Sequence, residues 1–182
     1  NVEKIISPDH LRPDPIKELL GQAQEQHRII ASPERAQTVF QAATALAAVD
    51  PATTEYPLSL TEPALVDVLG NYREDVTLAL VRALGRLGSV RSHVPLAQLV
   101  SAEASSAKLK SAACMAIARV TERTQPSPPD EVLEVLRAGL HGQEQSVREA
   151  AAEALGATGL SAADMLSLTR EFLTPPPAMN NE

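Results

Sequence analysis

The chain has 182 residues, 44% of them hydrophobic but only 2% aromatic and none of them tryptophan, so any continuous core must be built from Ala, Leu and Val. That balance argues against a sheet, which draws on aromatic and β-branched side chains, and for helices lying close together. A formal net charge of -7 repels a phosphate backbone overall, which excludes nucleic acid as an expected partner, and no stretch approaches the ~20 apolar residues of a membrane-spanning helix.

In chain order, the first expected helix pair occupies residues 14 to 50. Pro15 after Asp14 marks a start, Ile16, Leu19 and Leu20 open the first helix, and Ser32 with Pro33 caps the second, which runs through Ala45, Leu46 and Ala47. A Pro/Thr-rich linker from 50 to 61 separates it from a second pair at 60 to 90. Here Pro63 after Thr61 marks the start, Leu65, Val66, Val68 and Leu69 form the first apolar face, and Gly85 and Gly88 read as helix-ending residues. The third pair, 92 to 121, begins near Pro95 and carries Leu96, Ala97, Leu99 and Val100. Its second helix contains Cys114, the single cysteine, read as a buried packing thiol. After Pro126, Pro128 and Pro129 comes a fourth pair at 129 to 159, with Ser127 and Asp130 spaced as a capping box and Val132, Leu133, Val135 and Leu136 as its first face. A capping helix at 161 to 173 is expected to cover the last open core edge. Residues 174 to 182, with three consecutive prolines, are expected to be a flexible tail. Residues 1 to 173 thus read as one domain.

The second helices of the pairs align without gaps. Val76, Ala79, Ala83, Leu84 and Gly85 correspond to Leu109, Ala112, Ala116, Ile117 and Ala118, and these to Val147, Ala150, Ala154, Leu155 and Gly156, at spacings of 33 and 38 residues. Apolar positions at i, i+3, i+7 and i+8 define one helical face, and small residues on it allow a neighbouring helix to come close.

The run from Gln145 through Val147, Arg148, Ala150, Ala151, Ala154 and Leu155 to Gly156 resembles the second helix of a HEAT or HEAT-like (PBS-lyase-type) repeat. The likeness is best over residues 60 to 160 and looser over 14 to 50. It implies an all-α, right-handed α-α superhelix of about four helix pairs, armadillo-like in architecture, closed by the terminal helix. It also implies a ladder in which an arginine of each second helix meets an acidic residue of the turn before it. Arg148 matches that arginine, with Glu144 its expected partner; Lys110 is a weaker substitute; Thr77 departs from the pattern where Glu74 or Asp75 would have been the partner.

Catalytic chemistry finds no foothold. His10, His27, His93 and His141 are far apart in sequence and form no metal-ligand pair, repeated His-Glu pairs of the HEAT-built hydroxylases are absent, and no Gly-x-Ser-x-Gly elbow occurs. Catalytic, cofactor and metal residues are accordingly expected to be none. Stacking the second helices in register does bring Arg82, Met115 and Glu153 to one level and Arg86, Arg119 and Ala157 to the next. Arg82, Arg86 and Arg119 form a candidate basic strip with Met115 as an adaptable apolar contact, extended by Arg91 and Arg123, while Glu149 and Glu153 make the far end acidic.

The expected function is a non-catalytic protein-protein interaction scaffold, monomeric and cytoplasmic, that binds an acidic partner segment on its concave surface without nucleic acid, membrane or cofactor. Two alternatives are an accessory domain of a larger enzyme, since Asn1 in place of Met suggests that upstream sequence has been removed, and a lyase or hydroxylase built on the same repeats. A DNA-binding solenoid similar to the alkylpurine glycosylases is disfavoured by the negative charge and the lack of Trp.

Overall fold

The computed structural model describes residues 33 to 50, 58 to 125 and 127 to 159, together with the helical residues Asp164, Leu166, Ser167 and Arg170. Within them lie seven α-helices and no strand: α1 Pro33–Ala48, α2 Leu58–Asp67, α3 Glu74–Leu87, α4 His93–Ser101, α5 Ala107–Thr124, α6 Asp130–Leu140 and α7 Gln145–Ala157. A 3-10 turn, Val90–Ser92, joins α3 to α4. The expected partner helix of α1, with Ser32, falls outside the described residues, as do most of the expected capping helix and all of the proline-rich tail.

Local chemistry accounts for the helix ends. Glu74 and Asp75 stand at the positive end of α3 and Arg86 in its last turn, each favourable to the helix dipole. Ser106 caps α5 by accepting the Leu109 N–H at 3.2 Å, and Gln125, in the left-handed region at φ 66°, terminates it. Asp130 and Glu131 begin α6.

The apolar faces meet as the sequence periodicity requires. α2 packs on α3, α4 on α5 and α6 on α7; across pairs, α1 contacts α3, α3 contacts α5, α5 contacts α7, and α4 contacts α6. Leu80, Leu84, Leu96, Ile117, Leu136 and Leu155 are among the fully buried side chains at the centre of one cluster. Small residues set the spacing, since a Cβ added to Gly85 would lie 3.1 Å from both Cα and Cβ of Ala116. Cys114 is fully buried, and burial pushes its thiol up to about 12.

Three local expectations are corrected. Pro63 lies inside α2, whose start is at Leu58; it withholds the N–H that would have bonded the carbonyl of residue 59, and its ring is exposed. Gly85 lies within α3, where its missing side chain serves the close approach of α5, and Gly88 alone ends the helix. Ser127 does not cap α6: Pro129 stands at the N-cap, and the Ser127 hydroxyl donates to the Thr158 carbonyl at 3.3 Å, tying the linker to the end of α7.

Candidate functional site

The exposed basic residues gather where α3 and α5 cross. Arg82 and Arg86, one turn apart, are exposed on α3, and Arg119 is exposed on α5. The Arg119 side chain crosses the gap left by Gly85, its Cδ 3.8 Å from where a Cβ would be. Arg82 also borders a cleft with Phe40, Glu74, Asp75, Leu78 and Lys108, yet neither Arg82 nor Arg119 forms an ion pair with a described carboxylate. Arg86 is partly committed, because its Nε donates to the Val49 carbonyl at the end of α1 at 3.1 Å. Met115 is half-buried and packed against the core, so it is less available to a partner than a surface methionine. Glu149 accepts a hydrogen bond from Gln145 at 2.7 Å and, like Glu153, is exposed on α7.

Arg123 does not extend this strip. It is exposed, but its guanidinium is committed, donating from Nη1 to the Gly85 carbonyl at 3.1 Å and from Nη2 to the Gly88 carbonyl, and so braces the end of α3 from α5. Burial lowers its pKa first and the neighbouring charge of Arg86 second, with Glu62 opposing both.

A buried polar cluster joins α2, the 3-10 turn, α4 and α5. Glu62, only 7% exposed, accepts hydrogen bonds from Ser89 N and Ser89 Oγ, both at 2.7 Å, and from Ser92 Oγ at 2.5 Å. Burial by itself would raise its pKa; the bonds from Ser92 and Ser89, with the charge of Arg91, outweigh that and hold the carboxyl below its ordinary range. Ser92 and His93 are fully buried, and His93 Nε2 lies 3.1 Å from Thr121 Oγ1. No local pattern of residues signals this cluster, since its members are brought together by helix packing across 27 to 30 residues. Of the other histidines, His141 is exposed at the end of α6, and His10 and His27 are outside the described residues.

The expected arginine ladder takes another form. Arg148 Nη1 donates to the carbonyls of Gly142 at 2.9 Å and Gln143 at 2.6 Å, leaving the Glu144 side chain unused. The reason is geometric: the turn presents carbonyls nearer to the guanidinium than any carboxylate, and a charged donor makes strong bonds to them. Thr77, which occupies the same repeat position, bonds its own turn through the hydroxyl, donating to the Tyr72 and Arg73 carbonyls at 3.2 Å. Glu74 instead accepts from Ser106 at 2.7 Å, and Asp75 pairs with Arg73 at 3.0 Å. Lys110 and Glu144 both line a cleft of about 380 Å³ between the third and fourth pairs, walled by Val100, Val135 and Val147.

Among the described residues no three His, Cys, Asp or Glu side chains converge to hold a metal ion, and no helix is long and apolar enough to cross a membrane. No protein-family model matches the sequence, nor does any curated protein. In structure, the chain is similar to an engineered protein solved by crystallography, with a TM-score of 0.50 and 18% identity over 83% of this chain and 68% of that one. The likeness is one of fold alone. It carries no activity or partner to this chain.

Proposed function

We propose that the helix pairs form a HEAT-like, right-handed α-α superhelix and that the chain is a non-catalytic scaffold holding an acidic segment of a partner protein along α3 and α5. The observation that carries this reading is the exposure of Arg82 and Arg119, on two adjacent second helices, without a carboxylate partner, in a chain whose net charge is -7. Neither guanidinium has a hydrogen bond or ion pair within the described residues, so both are open to an acidic ligand. Guanidinium groups suit that task because their planar fork meets a carboxylate through two parallel bonds.

The test is titration with a Glu/Asp-rich peptide at low and high salt. Wild-type protein should bind it in a salt-sensitive way, and Arg82→Glu with Arg119→Glu should weaken binding at least about tenfold, of the order of two lost charged contacts. Arg86 is left intact because its bond to Val49 helps hold α1 on α3. Equal affinity of the two proteins would reject the reading.

A further inference from the structure

His93 is the first residue of α4, fully buried where the second helix pair meets the third. The single hydroxyl proton of Thr121 is engaged with the Ile117 carbonyl at 2.9 Å, so at the 3.1 Å contact Thr121 Oγ1 accepts and His93 Nε2 donates. A neutral ring with its proton on Nε2 leaves Nδ1 as a bare acceptor. Nδ1 is indeed a buried side-chain atom with no hydrogen-bond partner. A buried acceptor left unsatisfied is destabilising, which singles it out from the otherwise satisfied cluster.

The charged surroundings of the ring are few. From α2, Glu62 acts on it directly; Arg91 of the 3-10 turn acts on Glu62, and Arg123 of α5 lies within reach of both Glu62 and Arg86 of α3. α6 also packs against α4 but supplies no charge acting on His93.

We infer that His93 is an acid-operated latch at the joint between the second and third helix pairs: a proton taken up at Nδ1 turns the unpartnered acceptor into a buried donor one residue along from Ser92, whose hydroxyl Glu62 holds, and the carboxylate loosens its hold on the 89 to 92 turn to answer it. Such a latch would work whether or not a partner is bound. Burial holds the His93 pKa below its ordinary value, with Glu62 opposing, so the folded ring is neutral where the unfolded one begins to protonate. The sign follows from linkage. Stability from this site is complete above about pH 6.5, the ordinary histidine value, and is lost as pH falls below it toward the folded pKa. Glu62, also held below its ordinary value, withdraws its own contribution only in the carboxylate range, at lower pH.

The test compares wild type with His93→Gln, whose amide keeps a donor for Thr121 but does not titrate. Between about pH 7 and about pH 5 the wild-type Tm should fall by several degrees. Exchange of the Ser89 amide, which is bonded directly to Glu62, should quicken over the same range after correction for intrinsic rates. Both changes should be absent in H93Q, and an equal acid loss in H93Q overturns the proposal. Should H93Q not fold, the wild-type ring decides by nitrogen NMR. An Nε2-protonated ring that gains its second proton in step with Ser89 exchange supports the latch; a native Nδ1–H tautomer, or ring and turn changing independently, overturns it.

Discussion

Arg123 is a charged side chain whose work is structural, bridging two carbonyls at the end of α3 with one guanidinium. Replacing it by methionine should cost about 1.5 to 3 kcal/mol, the range for hydrogen bonds to charged groups, read as a shift of the denaturation midpoint. Lysine should recover only part of that, since an ammonium lacks the fork that reaches both acceptors. Cys114 offers the opposite case, a group silenced by its surroundings. With its thiol pushed up to about 12 and no surface exposed, it should react with a thiol reagent at neutral pH only as fast as the core opens, and at full rate in denaturant. Rapid labelling of the native protein would contradict the packing described for α5. At Gly88 an added methyl group would collide with the Ser92 hydroxyl that serves Glu62, so Gly88→Ala should disturb the buried cluster as well as the helix end.

At the scale of elements, the contact between α3 and α5 is set by Gly85 against Ala116. Gly85→Ala gains helix propensity but presses a methyl group onto the Ala116 backbone, and the net expectation is a loss of about 1 kcal/mol, rising with leucine. Ser106 links the same two helices by capping α5 and donating to Glu74 of α3, and Ser106→Ala should cost about 1 kcal/mol by thermal melting. Much of this layer could be read from the amino acids alone. The periodic alanines and leucines located α3 to α7 and their apolar faces, because a buried stripe of period 3.6 leaves a direct trace in sequence. What escaped were the hydrogen-bond partners. Ser127 matched a capping box but found Thr158, and Arg148 matched a ladder but found turn carbonyls, since such choices depend on the distances that packing creates. Glu62 gave no sign at all: a lone acidic residue beside Pro63 reads as surface until α2 is laid over the turn before α4.

For the whole molecule, the exposed arginines and the buried cluster should separate cleanly in experiment. The pair R82E and R119E changes surface charge without touching a described hydrogen bond, so its Tm should stay within about 2 °C of wild type while peptide binding weakens at least about tenfold. Substitutions at Glu62 or His93 should do the reverse. The grip of Glu62 on Ser89 and Ser92 has a further consequence for how the chain can be divided. Judged by its repeated letters, the protein breaks naturally around residue 90, yet the Glu62 carboxylate is satisfied from both sides of that border, by Ser89 before it and Ser92 after it. The border of the repeat is therefore bridged and not clean: a fragment severed at that spot would keep the Ser89 bonds but lose the Ser92 hydroxyl from the carboxylate, whereas one extended through residue 125 would keep every contact Glu62 makes.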